Sequence, residues 1–170
     1  MSTQTQYKVL LIGITRAGKS TIIQRFSLGV NEGGKRFIQY MTDEGERYQL
    51  VVYDTPCLDE SAANDKTYYE NAQAVIFVGS YDLPESLTAF GELRAHLHKF
   101  IDPSSYIPYF AMNKCDIKGS KAKVTPEMVK KTKEELNVDH VYDISILEKI
   151  GVRALFELIA NTLHDKYSKK

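Results

Sequence analysis

The run Lys8-Val9-Leu10-Leu11-Ile12-Gly13 is almost continuously aliphatic and stops at a glycine. Gly18-Lys19-Ser20-Thr21 follows, and behind it Ile22, Ile23 and Phe26 recur at helical spacing. This is the spacing G-x-x-x-x-G-K-S/T between a buried strand and a helix. It restricts the chain to a strand–glycine loop–helix unit of the kind found in parallel α/β sheets. The glycines let the backbone curl so that successive N–H groups point inward at a phosphate chain. A helix opening at Lys19 adds the positive end of its dipole to the same place. Lys19 is expected to reach the terminal phosphates and the Ser20 hydroxyl to bind Mg²⁺. Gly13, Thr15, Arg16, Ala17, Gly18 and Thr21 complete the expected phosphate loop.

The remaining chain alternates strands and helices in a way that fits this unit. Phe37–Met41 and Tyr48–Asp54 flank the turn signal Asp43-Glu44-Gly45-Glu46, which predicts an antiparallel hairpin. A glycine-rich loop is expected over 29–35, a short helix ending across Tyr68–Ala72, and buried strands over Ala74–Ser80 and Ser105–Met112. Pro84 opens a helix whose apolar residues Leu87, Phe90, Leu93, Leu97 and Phe100 keep helical spacing. Thr125-Pro126 starts another, Val138–Ile144 reads as the last strand, and a final helix runs from Glu148 to about Lys166. Such alternation predicts helices on both faces of a mostly parallel sheet. Gly13, Asp54, Asn113 and Ser145 then all stand at carboxyl ends of strands, the edge where open α/β sheets bind ligands.

Length and charge narrow the class further. The chain has 170 residues, which suits one domain, 1–170, with a disordered extension over 1–6 and a tail over 168–170. Formal net charge is zero, so there is no electrostatic case for nucleic acid. The two cysteines, Cys57 and Cys115, lack disulfide or zinc spacing, which fits a reducing, cytoplasmic setting compatible with peripheral membrane association. Ser2 stands where myristoylation needs glycine, and the end Tyr167-Ser168-Lys169-Lys170 has no prenylation cysteine; no membrane anchor is expected in this chain.

Asn113-Lys114-Cys115-Asp116 is the second strong signal. Guanine presents N1–H and its 2-amino group as adjacent donors, and the Asp116 carboxylate can accept both, whereas adenine offers an acceptor there. This speaks against a P-loop kinase or ATPase. Asn113 can tie this loop to the phosphate loop, and the Lys114 stem can lie along the base.

With these motifs the chain resembles the Ras-like small GTPases, most closely the Ras/Rab branch, over residues 7 to 167. Gly13–Ser20 matches the phosphate loop, Asp54-Thr55-Pro56 the start of the second switch, and Asn113–Asp116 the base motif. Asp143-Ile144-Ser145-Ile146-Leu147 stands at the Ser-Ala-Lys-like loop. The resemblance implies a three-layer P-loop NTPase fold, with a six-stranded sheet carrying one antiparallel edge strand and about five helices. It implies GTP or GDP as ligand with Mg²⁺ held by Ser20 and, through water, by Asp54. It also implies that Ser145 and the Ile146 N–H support guanine, that Cys57 offers its N–H to the γ-phosphate, and that effectors or regulators engage 29–48 and 57–72.

The departures from the family pattern carry as much meaning. Cys57 replaces the second-switch glycine, and Leu58 replaces the glutamine that orients the attacking water. No Ser or Thr occurs from Leu28 to Met41, where the family places its Mg²⁺-binding threonine, and Val30 and Asn31 stand where an aromatic residue usually covers guanine. The expectation is therefore a guanine-nucleotide binder with slow hydrolysis. The alternative is a non-switching scaffold that holds nucleotide structurally.

Overall fold

The computed structural model describes residues 4–26, 35–42, 44–117 and 119–169. The glycine-rich segment expected over 29–35 falls outside them apart from Lys35, as do Val30 and Asn31. A six-stranded sheet runs through the described chain in the order β2-β3-β1-β4-β5-β6. Its strands are β1 (Thr5–Ile12), β2 (Lys35–Met41), β3 (Arg47–Asp54), β4 (Ala74–Ser80), β5 (Ile107–Asn113) and β6 (Val141–Asp143). Only β2 is antiparallel, pairing with β3 from Lys35↔Tyr53 to Met41↔Arg47. Among the described residues the α-helices are α1 (Lys19–Phe26), α2 (Glu85–Thr88), α3 (Phe90–Leu97), α4 (Pro126–Leu136) and α5 (Val152–Tyr167).

Period-two alternation in β1 decides which helices cover which face. Val9 and Leu11 point to a cluster with Ile22, Ile23, Val152, Phe156, Ile159 and Leu163, so α1 and α5 cover that side. Leu10 and Ile12 point to the other cluster, with Leu87, Phe90, Leu93, Leu97 and Leu136 from α2, α3 and α4. Every residue of β4 is buried, as a strand covered on both faces requires.

Five expectations are corrected. Thr5 and Gln6 are strand, paired with Tyr48 and Gln49, so an extension disordered to residue 6 is overturned for these two. The segment before Ala72 contains 3-10 turns at Ser61–Asn64 and Lys66–Tyr68, not the end of an α-helix, and Asn71 takes a left-handed φ of 63°. The helix read from Pro84 to Phe100 is broken at Ala89 into α2 and α3. The last strand is shorter than expected because Val138 donates its N–H to Lys133 and so belongs to the cap of α4. The last helix starts at Val152, since Ser145 and Ile150 first pair as a bridge and Gly151 then turns at φ 73°. A Cβ at Gly151 would stand 2.6 Å from the Asp143 carbonyl oxygen, so only glycine fits that turn.

Five of the eleven tyrosines are buried in the core, with Tyr7, Tyr48 and Tyr69 each 2% exposed. Tyr69 stacks on Phe100 at 4.8 Å and meets His96 edge-on at 5.7 Å. The His96 ring bonds to the Ala63 carbonyl oxygen at 2.7 Å, and Ala63 is fully buried. From β1, Lys8 Nζ donates to the carbonyl oxygens of Thr67 and Glu70, both at 2.8 Å, and lies 4.2 Å from the Tyr53 ring centre. These contacts fasten 61–70 to α3 and to the sheet.

Burial pushes the Lys8 pKa down to about 8, against the opposing pull of the Glu70 charge. An unfolded lysine titrates at about 10.4. Between these values the unfolded chain binds the proton that the folded chain has lost, so this residue makes stability rise with pH over that window. Lys8→Met is expected to remove that rise. Urea midpoints measured from pH 8 to 10 check it: the wild-type midpoint should climb relative to the variant, and parallel profiles would contradict it.

Candidate nucleotide site

Because β1, β3, β5 and β6 run parallel, their carboxyl ends share one edge. The register Leu11↔Asp54 sets the end of β3 beside the end of β1, and Met112↔Asp143 sets β6 beside β5. Past β1 the chain turns at Gly13, makes a 3-10 turn over Thr15–Ala17, and enters α1 through Gly18 at φ 96°. A Cβ on Gly13 would lie 2.6 Å from the Val78 carbonyl oxygen, and one on Gly18 would lie 2.3 Å from Asn113 Nδ2. The second clash has a direct consequence, because Asn113 Nδ2 donates to the Ala17 carbonyl oxygen at 3.0 Å. That hydrogen bond ties the base loop to the phosphate loop. Gly18→Ala is therefore expected to strain the backbone and break this tie, costing about 1–3 kcal/mol in urea unfolding; an unchanged midpoint would contradict it.

Lys19 is 3% exposed, and its Nζ donates to the Thr55 carbonyl oxygen at 3.1 Å. Burial lowers its pKa, while the charges of Asp54, Cys57 and Glu60 oppose that shift. Thr55 is itself fixed by donating its hydroxyl to the Leu11 carbonyl oxygen at 2.7 Å. Its part in orienting Lys19 through a backbone carbonyl left no mark in the sequence pattern. The Ser20 hydroxyl hydrogen-bonds to Asp54, so the two expected metal residues converge. An oxygen-only pair of hydroxyl and carboxylate beside a buried ammonium suits a hard cation and an oxyanion. The residues present therefore fit Mg²⁺ and a phosphate chain.

Arg16, Thr15 and Thr21 are exposed, whereas Ala17 is fully buried. Thr15 Oγ1 and Cys57 Sγ are hydrogen-bonded at 2.8 Å, which closes the start of the second switch onto the phosphate loop. Cys57 donates its N–H to Glu60 Oε1 at 3.2 Å, a second local partner that no motif residue marks. Leu58 packs against the apolar cluster under α3. It also lines a cavity of about 290 Å³ with Gly13, Ile14, Cys57 and Leu93.

At the base end, Ser145 is fully buried and donates to Asp116 Oδ1 at 2.5 Å. Its hydroxyl oxygen accepts the Glu148 N–H at 3.1 Å, and Ser145 N–H is taken by the Ile150 carbonyl oxygen, so the serine is fully committed. The Cys115 N–H binds the Ile144 carbonyl oxygen at 3.0 Å, locking the base motif onto the loop after β6. Burial raises the Cys115 pKa, with Asp143 and Asp116 adding to the shift, which argues against a reactive thiol. Ile146 is half-buried against the α1/α5 cluster. Lys114 takes φ 60° and its Nζ reaches Asp82 at 2.8 Å, a partner the motif gave no reason to expect.

No helix among the described residues is long and apolar enough to cross a membrane. The Ras family model matches residues 8–165. The Ras-related protein RabZ of Dictyostelium discoideum is 27% identical, over 93% of this chain and 71% of its own length. The Ras-related protein rapC of the same organism is 25% identical, with 95% of this chain matched to 61% of that protein. Human NF-kappa-B inhibitor-interacting Ras-like protein 1 is 25% identical over 95% of this chain and 88% of its own. With a family match of that extent, laid over a sheet edge that gathers the glycine loop, Asp54 and the guanine-type base motif, the chain belongs to the Ras family of small GTPases.

Proposed function

We infer that this chain binds GTP and GDP with Mg²⁺, hydrolyses GTP slowly, and acts through protein partners that engage 29–48 and 57–72. The observation that carries the binding half is the Asn113–Ala17 hydrogen bond, which joins phosphate loop and base motif into one cradle around the buried Lys19. Mg²⁺, when bound, would neutralise charge between the terminal phosphates, held by Ser20 and by Asp54 through water. Gly13, Thr15, Arg16, Ala17, Gly18 and Thr21 would line the phosphates; the Cys57 N–H, expected to join them, donates to Glu60 Oε1 instead. Lys114, Asp116 and the Ile146 N–H would hold the base, with Ser145 supporting it through Asp116.

The position of Leu58 supports slow hydrolysis. Its side chain packs on the α3 cluster, and Glu60 is occupied by the Cys57 N–H. Neither is set to align a water. Leu58→Gln is expected to raise the single-turnover rate by about 10- to 100-fold, the size of a gain from correct positioning; no gain would contradict this role. Partner-mediated action fits one relative, the NF-kappa-B inhibitor-interacting Ras-like protein 1, whose name describes interaction with an NF-kappa-B inhibitor.

A second reading, a scaffold that holds nucleotide without switching, is favoured by the fastening of 61–70. His96, Phe100 and Lys8 hold that segment from two sides. Hydrogen exchange across 57–72, with GDP and with a non-hydrolysable GTP analogue, separates the two. A switch gives different protection in the two states, and a scaffold gives the same. Chromatography of the nucleotide released on denaturing the purified protein tests both: guanine nucleotide is expected, and adenine nucleotide would contradict both.

A further inference from the structure

The Lys114 ammonium is held by an acid that lies outside every motif described above. β4 ends at Ser80, and the chain turns at once: the Leu83 N–H binds the Ser80 carbonyl oxygen at 3.1 Å, and Ser86 Oγ donates to the Leu83 carbonyl oxygen at 2.6 Å. Ser80 is fully buried, its own N–H taken by Ser86 Oγ at 2.9 Å. Asp82 sits in this turn, and both its oxygens are engaged. Oδ1 accepts the Ser80 hydroxyl at 2.5 Å and Oδ2 accepts Lys114 Nζ at 2.8 Å. Burial alone would raise the Asp82 pKa, but the hydrogen bonds from Lys114 and Ser80, with the Lys114 charge, hold it below the usual carboxylate range.

The same turn is fixed to the base loop by its backbone. Tyr81 donates its N–H to the Asn113 carbonyl oxygen at 3.2 Å and accepts from Lys123 and Val124 at 2.9 and 3.1 Å. Lys114 leaves β5 through a left-handed residue, and its four-carbon stem must then bridge to Asp82 at the end of β4. The stem therefore crosses the sheet edge in a fixed direction.

We propose that Asp82, itself anchored by Ser80, is a positioning residue for nucleotide binding that holds the Lys114 stem in the orientation in which it lies along the base. This rests on the guanine-nucleotide reading above. A free lysine would have to give up several rotamers when nucleotide enters, and the Asp82 pair meets that cost beforehand. The pair also keeps the ammonium from turning toward Asp116, leaving that carboxylate to the base.

The test is the release rate of a fluorescent GDP analogue from the loaded, Mg²⁺-containing protein. Asp82→Ala is expected to speed release by about three- to tenfold, the factor for immobilising one long side chain. Asp82→Asn, which keeps one acceptor oxygen and loses the charge and the second acceptor, should fall between, and it carries the test if the alanine variant fails to fold. In the background of Lys114→Met, Asp82→Ala should change nothing further, as expected when one residue acts only through the other. Half-exposed ion pairs are screened, so 1 M NaCl should narrow the gap between wild type and Asp82→Ala. A purely structural role would show in the unfolding midpoint and would survive both the Lys114→Met background and the salt. Unchanged release, slower release, or additive effects would overturn the proposal. Failure of the underlying reading looks different: wild type would not retain GDP, or Asp116→Ala would leave the preference for GDP over inosine diphosphate intact. Either result takes this proposal down with it.

Discussion

Asp116→Asn is expected to weaken GDP binding by about 10²- to 10⁴-fold while leaving the fold in place. Two hydrogen bonds from guanine to a carboxylate are at stake, each worth about 1.5–3 kcal/mol, and about 1.4 kcal/mol is a factor of ten. The direction follows from Ser145. Its hydroxyl donates to Asp116 Oδ1, so an asparagine oxygen would take that place and turn its NH₂ toward the base. Donor then meets donor at guanine N1–H and the 2-amino group. A base with a carbonyl at that carbon, such as xanthine, accepts from the new NH₂ and should recover part of the loss. Competition against a fluorescent GDP analogue with GDP and xanthosine diphosphate reads both effects. Unaltered GDP affinity would contradict the role given to Asp116.

Lys19→Met is expected to be as damaging to binding and to have the opposite effect on the empty protein. A buried ammonium facing a phosphate chain is a charge pair whose removal costs about 3–5 kcal/mol, so nucleotide affinity should fall by about two to four decades. Without nucleotide the same ammonium is poorly compensated. Burial lowers its pKa, and one neutral carbonyl, from Thr55, is its hydrogen-bond acceptor among the described residues. A methionine of similar length carries no such burden. The nucleotide-free variant should therefore unfold at the same or a higher urea concentration than wild type. Loss of both stability and binding would show that Lys19 is structural first.

The sheet was readable because its signals are local and redundant. Val9, Leu10, Leu11 and Ile12 are apolar on both faces, and glycine and lysine at fixed spacing mark the loop that follows. The motif residues Lys19, Ser20, Asp54, Asn113, Asp116 and Ser145 come together at the sheet edge as their positions in the pattern imply. What could not be read depends on partners distant in sequence. The turns of 61–68 are held by His96 and Lys8, residues whose own patterns look like a helix face and a strand. The break at Ala89 leaves the apolar spacing of Leu87, Phe90, Leu93 and Leu97 undisturbed, so periodicity passes straight through it. Thr55 acts through a main-chain carbonyl, which no residue type advertises. Asp82 reads as a turn former in sequence and becomes a lysine anchor only once β4 and β5 are paired through Ser80↔Asn113.

The proposed cradle binds GTP but lacks the group that turns it over, with Leu58 packed against the cluster under α3 and Cys57 hydrogen-bonded to Thr15. Single-turnover hydrolysis of γ-labelled GTP by the Mg²⁺-loaded protein is the test. The predicted result is stable GTP binding with a rate at or below about 10⁻³ s⁻¹, the scale of an unassisted small GTPase. Turnover at several per second without any added protein would contradict it.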